Sequence, residues 1–305
     1  MRVTLIHNPG AGRSGEDDAR KLEDLLESAG HNVRYQSSKE PGWKRALAKP
    51  ADVVVVAGGD GTVGRVVRRM VGRGVPVTLL PLGTANNIAR TFGLLDRPFQ
   101  ELIQGWKRAR RVKLDLGIAK GPWDERYFIE GVGVGLFANM LAQPRSGKKS
   151  KARKPEDVVD RALQRLKDMT VHSEPVEVIA TLDGEDISGR YLLFEAINLR
   201  YVGPNLFLAP DGKPGDGKLD LVLITEAERV YLLEYLEKWQ HDRDRLAVLP
   251  TRRGELLRME WNGSELHIDD KLYPRKNPDP GEVSGIVETR IKRGAVEFLL
   301  PEIKA

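Results

Sequence analysis

The chain has 305 residues and a formal net charge of +5 at pH 7. It contains no cysteine, which excludes disulfide bonds, thiolate metal sites and a cysteine nucleophile and fits a reducing cytoplasm. The length is enough for two ordinary domains, and no apolar run reaches the roughly 20 residues that span a bilayer, so we expect a soluble, cytoplasmic protein.

The first predicted strand, Arg2–His7, leads into a loop that contains glycines. The loop at 8–15 has the spacing G-x-G-x-x-G, and a helix from Glu16 to Ala29 follows it. A dinucleotide fold would place an acid after the second strand, Val33–Ser38, but Lys39 stands there. The pattern therefore favours an open phosphate-binding loop, or a turn that binds nothing, over an NAD site.

A continuous β-branched run near residues 52–56 predicts a strand buried on both faces, as in parallel sheets. The run is followed by Gly58-Gly59-Asp60-Gly61-Thr62. Because glycines have no Cβ atom, backbone N–H groups here can approach a bulky anion, while the Asp60 carboxylate projects into the same space. The helix predicted at 63–71 points its free N–H groups the same way. This combination is typical of a site for a phosphate donor and its metal ion.

The next predicted strand, residues 75–80, leads to Pro81-Leu82-Gly83-Thr84-Ala85-Asn86-Asn87. Thr84 can donate its hydroxyl to a phosphate oxygen, and the two asparagines either serve the site or cap the following helix. Asn8, Asp60 and Thr84 all come directly after predicted strands. Because the carboxyl ends of parallel strands meet at one edge, we expect these three residues to converge there.

The sequence pattern changes near residue 112. Strands alternate with helices in residues 1–111, which predicts a doubly wound, mostly parallel α/β domain. Shorter strands in residues 112–286, among them Tyr127–Val134, predict a β-rich antiparallel sandwich. The tail, about residues 287–305, is predicted to contain two strands and is a candidate to return to the first domain.

A run of six basic residues with no acid occupies positions 145–154. Such a run is either a solvated charged segment or a contact for an anionic membrane surface, where each basic residue contributes about 1 kcal/mol. Net charge alone does not choose among nucleic acid, anionic lipid headgroups and nucleotides as partners.

The motifs at 58–62 and 81–87, about twenty residues apart, resemble the catalytic domain of diacylglycerol and sphingosine kinases, bacterial lipid kinases included. NAD kinases share the first motif, whereas the second at this spacing is more discriminating. The resemblance implies an NAD kinase/diacylglycerol kinase-like α/β domain for ATP and Mg²⁺, followed by a β-rich domain for a lipid substrate. It implies transfer of the γ-phosphate to a hydroxyl of a diacylglycerol-like or sphingoid lipid, peripherally at an anionic membrane surface, with no nucleic acid partner.

The same resemblance assigns residues to the nucleotide site. Asp60 would coordinate the catalytic magnesium, and a serine at position 37 or 38 stands where the family has a threonine that meets the nucleotide. The glycine-rich stretch 131–136 resembles one near the family's lipid site, although close strand packing explains these glycines equally well. The full set of nucleotide-site residues is Asn8, Pro9, Gly10, Gly12, Ser37 or Ser38, Gly58, Gly59, Asp60, Gly61, Thr62 and Thr84.

The segment at 209–220 is dense in glycine and aspartate. It fails the calcium-loop spacing, and no glutamate closes it. It resembles the family's structural magnesium loop, in which Asp216 would supply a carboxylate and Lys213 and Lys218 their backbone carbonyls. A turn without metal is the alternative.

The late segment Asp269-Asp270-Lys271 departs from the family, whose proton acceptor is usually the glutamate of an Asp-Gly-Glu. Lys271 stands in place of that glutamate, and a protonated lysine cannot accept a proton. Either Asp270 or Asp269 takes the role, or the acceptor differs, or activity has been lost. The alternatives to a lipid kinase are therefore a catalytically silent nucleotide- or lipid-binding regulator of the same fold and an NAD kinase-like enzyme. The sequence identifies neither the lipid nor the oligomeric state.

Overall fold

The computed structural model describes residues 1–11, 16–95, 97–143, 155–241, 249–274 and 284–302. The chain divides into two units by its internal contacts. The first unit consists of Met1–Leu114 and Gly294–Ala305, and the second of Asp115–Arg293.

Strands and helices alternate along the first unit. Its elements in chain order are β1 (Arg2–His7), α1 (Glu16–Ser28), β2 (Asn32–Ser37), α2 (Trp43–Ala46), β3 (Val53–Gly58), α3 (Asp60–Met70), β4 (Val77–Pro81), α4 (Asn87–Thr91), α5 (Phe99–Gly105), a 3₁₀ turn (Trp106–Arg108) and β5 (Arg110–Gly121), which continues into the second unit.

The first four strands form a parallel sheet in the order β2–β1–β3–β4. Every residue of β3, the valine-rich run, is buried, as expected for a parallel strand that is covered on both faces. Helix α3 buries Val63, Val66 and Val67 because their spacing places them on one face. The predicted α/β fold with a mostly parallel sheet is confirmed.

The second unit is built mainly of strands. Its further elements are β6 (Asp124–Phe128), β7 (Gly131–Gly135), α6 (Leu136–Ala142), α7 (Pro155–His172), β8 (Val176–Leu182), β9 (Glu185–Asp186), β10 (Gly189–Ile197), β11 (Tyr201–Val202), β12 (Leu206–Phe207), β13 (Leu219–Thr225), a 3₁₀ turn (Glu226–Glu228), α8 (Arg229–His241), β14 (Thr251–Gly254), β15 (Leu256–Trp261), β16 (Leu266–Ile268), β17 (Lys271–Tyr273) and β18 (Gly285–Leu300), whose last part belongs to the first unit.

Strands of the second unit pair antiparallel. β10 pairs with β7, β8 and β13, and β15 pairs with β8 and β18. Phe194 and Ala196 of β10 face a core formed between strands, whereas Leu193 and Ile197 face a second core that α7 and α8 complete. The predicted antiparallel second part is confirmed, with helices covering one of its faces. Among the described helices, none combines the length and apolar character needed to cross a bilayer.

Two strand predictions differ from the structure. Tyr127–Val134, predicted as one strand, is divided between β6 and β7. The tail, predicted as two strands, is the single 16-residue strand β18, in which Gly294 has a positive φ of 56°. A pattern of alternating residues does not reveal such interruptions or continuations, because both depend on the neighbouring strands.

The end of β18 completes the sheet of the first unit. Phe298 pairs in parallel with Val77 of β4. Phe298 is fully buried, and its ring centroid lies 5.1 Å from that of Phe92. The sheet order in the first unit is therefore β2–β1–β3–β4–β18.

Candidate active site

Three loops meet at the carboxyl edge of the parallel sheet in the first unit. They follow β1, β3 and β4, which are neighbours in the sheet. Asn8, directly after β1, donates from Nδ2 to Thr62 Oγ1 at 3.0 Å. Its backbone N–H donates to the Ala57 carbonyl at 2.9 Å. These two hydrogen bonds link the loop after β1 to the end of β3 and to the start of α3.

The two glycine motifs touch through their backbones. A Cβ atom on Gly59 would lie 2.8 Å from Gly83 Cα, and one on Gly83 would lie 2.3 Å from Gly59 Cα. A Cβ on Gly58 would lie 2.9 Å from Thr62 Cβ. Packing within the protein thus explains Gly58 and Gly59, whereas Gly61 and Thr84 are exposed at the same edge and are free to meet a ligand.

The Asp60 carboxyl bridges the two motifs. It is half-buried at the start of α3, and its Oδ1 accepts the backbone N–H of Ile88 in the first turn of α4 at 3.0 Å. Burial raises the pKa of Asp60 above its ordinary value, against the opposing effect of Ile88 and neighbouring backbone donors. Asp60 therefore caps a helix that begins 27 residues later in the chain.

Asn86 does not cap α4 with its side chain. Instead its side chain closes the preceding turn, since Oδ1 accepts the N–H of Gly83 at 2.9 Å and Nδ2 donates to the Gly83 carbonyl at 2.8 Å. The asparagine has a positive φ of 52°, which asparagine tolerates better than most residues. This turn places Thr84 at the exposed edge.

The loop after β1 adds a cation that sequence reasoning passed over. Gly10 is exposed and donates its N–H to Asn8 Oδ1 at 3.2 Å, and Pro9 beside it is half-buried. A Cβ on Gly10 would lie 3.8 Å from Lys39 Nζ, so this ammonium group lies beside the loop. The available signal is a basic residue two positions after β2, whose end pairs with the end of β1. Gly12 lies outside the described residues.

Ser37 and Ser38 are both buried at this edge. Ser37 Oγ accepts the backbone N–H of Lys39 at 3.2 Å, whereas Ser38 Oγ is buried with no hydrogen-bond partner in the described part of the chain. The Ser38 N–H donates to the His7 carbonyl at 2.6 Å. The structure places both serines beside the end of β1, and the choice between them stays a prediction.

In the second unit, the two aspartates considered as proton acceptors differ sharply. Asp269 has a positive φ of 50°, and its carboxylate accepts backbone N–H groups from Ile129, Glu130 and Gly131 at 2.9–3.3 Å. Asp270 is exposed, with its Oδ2 3.0 Å from Lys271 Nζ. Asp269 therefore holds the turn together, and Asp270 is the carboxylate of the two that is open to a substrate.

Two of the three donors predicted for a structural magnesium ion, the Asp216 carboxylate and the Lys213 carbonyl, have other partners. Asp216 forms an ion pair with Arg253 and also accepts the N–H of Lys218 at 3.1 Å. The Lys213 carbonyl accepts the N–H groups of Gly215 and Asp216 at 2.6 and 3.2 Å. No group of three His, Cys, Asp or Glu side chains within the described ranges is arranged to hold a metal. The Asp216 carboxylate is thus paired with a guanidinium group in this structure, the magnesium loop stays a prediction, and we derive no chemistry from an ion here.

Arg253 supplies the positive charge in this loop. Its Nε lies 2.8 Å from Oδ1 of Asp220, its antiparallel neighbour across β13 and β14. Burial raises the pKa of Asp220, and Arg253 opposes that shift. One guanidinium thus contacts both carboxylates of the loop, Asp216 and Asp220.

We expect Arg253→Met to lower the free energy of unfolding by about 2 kcal/mol, because it leaves the buried Asp220 carboxylate without its partner while the partly exposed Arg253 limits the loss. Arg252→Met is the matched control, since Arg252 pairs with the exposed Glu185 and should cost under about 1 kcal/mol. Urea unfolding of both variants, with Mg²⁺ and with EDTA, measures this. Wild-type stability that depends on Mg²⁺, together with an unaffected Arg253→Met variant, would instead support the magnesium loop.

Comparisons with known proteins place this geometry in context. Residues 2–119 match the sequence model described as the diacylglycerol kinase catalytic domain. A protein named diacylglycerol kinase from Mycobacterium tuberculosis H37Rv is 26% identical over 306 residues, covering 93% of this chain and 92% of the relative. A second protein of that name, from Bacillus subtilis strain 168, is 28% identical and covers 74% of each chain.

Solved structures show the same fold. A diacylglycerol kinase structure from Bacillus anthracis superposes with a TM-score of 0.71 at 19% identity, covering 98% of this chain and 96% of that one. Yeast NADH kinase in complex with NADH superposes with a TM-score of 0.51 at 10% identity, covering 99% of this chain and 84% of that one. At these identities the likeness concerns the fold alone.

Proposed function

We propose that this protein, whose residues 2–119 match the sequence model of the diacylglycerol kinase catalytic domain, transfers the γ-phosphate of ATP to a hydroxyl of a diacylglycerol-like or sphingoid lipid. The observation that carries the proposal is the meeting of the loops after β1, β3 and β4, with Gly61 and Thr84 exposed and Lys39 beside them. Backbone N–H groups, a hydroxyl and an ammonium group suit the phosphates of a nucleotide.

In this proposal the first unit binds ATP. The N-terminal N–H groups of α3 and the exposed Gly61 approach the phosphate oxygens, Thr84 donates its hydroxyl, and Lys39 neutralises charge. Bound Mg²⁺ would neutralise the negative charge that develops on the transferred phosphoryl group. Asp60 fits as a single carboxylate for it, since Mg²⁺ is usually held by one or two carboxylates together with substrate phosphates. The hydrogen bond from the Ile88 N–H fixes the orientation of that carboxylate.

In the same proposal the second unit binds the lipid and supplies the proton acceptor. Asp270 receives the proton of the acceptor hydroxyl, because it is exposed while the Asp269 carboxylate is occupied by backbone N–H groups. Phosphoryl transfer requires little more from the protein than groups that bind the donor phosphates, a bound cation and an oriented acceptor hydroxyl.

A second candidate is a silent relative that binds nucleotide or lipid without transferring phosphate. Lys271 favours it, because its ammonium group is 3.0 Å from Asp270 at the position where the family has its glutamate. An NAD kinase-like enzyme is the third reading, since the fold is shared with yeast NADH kinase.

One assay separates these readings. We expect radiolabelled phosphate to pass from [γ-³²P]ATP to one class in a panel of diacylglycerol, monoacylglycerol, sphingosine and ceramide, with Mg²⁺ present and not with EDTA. NAD serves as the competing acceptor. Labelling of NAD alone would establish the NAD kinase reading, and ATP binding without any transfer would establish the silent regulator.

We also propose that the protein works peripherally at an anionic membrane surface, through the basic run at 145–154, which lies outside the described residues. Changing Arg145, Lys148, Lys149, Lys151, Arg153 and Lys154 to serine should weaken binding to phosphatidylglycerol liposomes at least about tenfold, since each basic residue contributes about 1 kcal/mol. Cosedimentation at rising salt measures this, and neutral phosphatidylcholine liposomes are the control. Undiminished binding by the variant would make the run a solvated segment only.

A further inference from the structure

The second unit buries an acid and a base that the proposed phosphoryl transfer does not use. Glu195 of β10 is 0% exposed and His267 of β16 is 6% exposed. His267 Nε2 lies 2.8 and 2.9 Å from the two carboxylate oxygens of Glu195. A buried pair of this kind needs an explanation, because placing ionisable groups in the interior is costly unless they are paired.

Strand β7 lies between the two residues and has a glycine at their level. Gly133 pairs with Glu195 on one side and with His267 on the other. A Cβ on Gly133 would lie 2.4 Å from Glu195 Cδ, so the side chain of Glu195 crosses the space that a larger residue would fill. At least one glycine of the glycine-rich stretch is therefore explained by this pair.

The other ring nitrogen connects the pair to the turn after β16. His267 Nδ1 lies 3.0 Å from the carbonyl oxygen of Asp269. Because a carbonyl only accepts, Nδ1 must carry a proton. Desolvation acts to lower the pKa of His267, but the charge and hydrogen bonds of Glu195, together with Asp269, outweigh it and raise the pKa. Glu195 thus fixes the ring in the orientation that donates to the turn.

The turn is held at two further points. The Asp269 carboxylate accepts the N–H groups of residues 129–131, and the Asp269 N–H donates to the Gly131 carbonyl at 2.8 Å. These contacts hold the side chain and the amide of Asp269. The bond from His267 holds its carbonyl, which begins the peptide of Asp270.

We propose that the Glu195–His267 pair is a positioning element, which orients the Asp269–Lys271 turn and thereby sets the direction of Asp270. Its link to catalysis rests on the proposed function, in which Asp270 accepts the proton. Its link to the turn is independent of any activity. The pair acts through hydrogen-bond geometry and not by accepting a proton from the substrate, because both ring nitrogens are already engaged.

Three variants test the geometry. Glu195→Gln can donate an amide N–H to Nε2 of a neutral ring, so that Nδ1 still donates to Asp269. Glu195→Ala leaves the ring without that partner. Leu266→Val, next to His267 in β16 and fully buried, is the control for general loosening of the core.

The first readout is amide hydrogen exchange of residues 129–131 without substrate, because these amides donate to the Asp269 carboxylate. We expect Glu195→Ala to speed their exchange at least tenfold relative to Leu266→Val, and Glu195→Gln to leave it within about threefold of wild type. Unchanged exchange in folded Glu195→Ala would overturn the proposal, whether or not the protein is a kinase.

The second readout is lipid phosphorylation. Glu195→Ala should lower kcat at least tenfold with the KM for ATP within twofold, and Glu195→Gln should keep most of kcat. A Glu195→Gln variant as inactive as Glu195→Ala would show that the carboxylate charge itself is needed and would overturn the positioning role.

If Glu195→Ala does not fold, two substitutions of His267 test whether the donor at Nδ1 orients the turn. His267→Asn can keep a donor near the place of Nδ1, whereas His267→Gln keeps one near Nε2 only. Slower exchange at 129–131 in His267→Asn than in His267→Gln supports the proposal, and the reverse order contradicts it.

Discussion

Asp60→Asn is expected to lower phosphoryl transfer at least about a hundredfold while the protein stays folded, because in the proposed function it removes the carboxylate charge that would hold Mg²⁺. The amide oxygen of asparagine can still accept the Ile88 N–H that Asp60 Oδ1 accepts at 3.0 Å. Turnover with the preferred lipid and circular dichroism measure the two effects separately. Asp52→Asn is the matched control, since Asp52 is an aspartate of the same unit engaged with Arg2.

Asp60→Ala should add a stability loss to the activity loss. Without an acceptor, the backbone donors at the start of α4 lose their partner, which costs about 1–3 kcal/mol. Urea unfolding of the two variants separates the roles of Asp60 as a charge and as a helix cap. Near-normal turnover of Asp60→Asn would show that phosphoryl transfer does not need the carboxylate charge. Asp60 would then have only the structural role of linking the two motifs.

Asp270→Asn is expected to lower kcat about a hundredfold or more with little change in the KM for ATP. The substitution removes the proposed proton acceptor and leaves the proposed nucleotide-binding residues of the first unit unchanged. Asp270 is exposed at 52% of its side chain, so the change should not disturb the fold. Glu265→Gln, another exposed acid shortly before β16, is the matched control. Initial rates against ATP and lipid concentration give the two constants.

Lys271→Glu distinguishes an active enzyme from a silent relative. With Asp270 as the acceptor, the new glutamate should do little or should slow the reaction through a second nearby carboxylate. If the wild type transfers no phosphate and Lys271→Glu does, Lys271 has silenced the site. If neither transfers phosphate and neither binds ATP, the kinase proposal fails.

Features encoded over a few neighbouring residues were predictable from the sequence. The valine run of β3 predicts a buried parallel strand, and the glycine motifs after β3 and β4 predict loops at one edge of the sheet, without any knowledge of the tertiary structure. The order of neighbouring parallel strands then brings Asn8, Asp60 and Thr84 to one edge, and the structure has the three loops there.

Features that depend on strand register were not predictable. Arg253 meets Asp216 and Asp220 because β14 pairs with β13, and Glu195 meets His267 across β7, 72 residues apart in sequence. The Asp269 carboxylate finds its donors 138–140 residues earlier. No local pattern carries such pairings, so the sequence alone does not show that backbone N–H groups donate to the Asp269 carboxylate.

The return of β18 to the first unit has a consequence for biosynthesis. Gly294 follows Leu114 by 180 residues, so at about 5–20 residues per second the growing polypeptide waits about 9–36 s for the strand that covers β4. During that interval Val77 has no partner on this side, and an unpaired strand edge invites association with other chains. Residues 2–119 alone therefore lack one strand of their own sheet. The first unit can complete its fold only after the end of β18 has been synthesised.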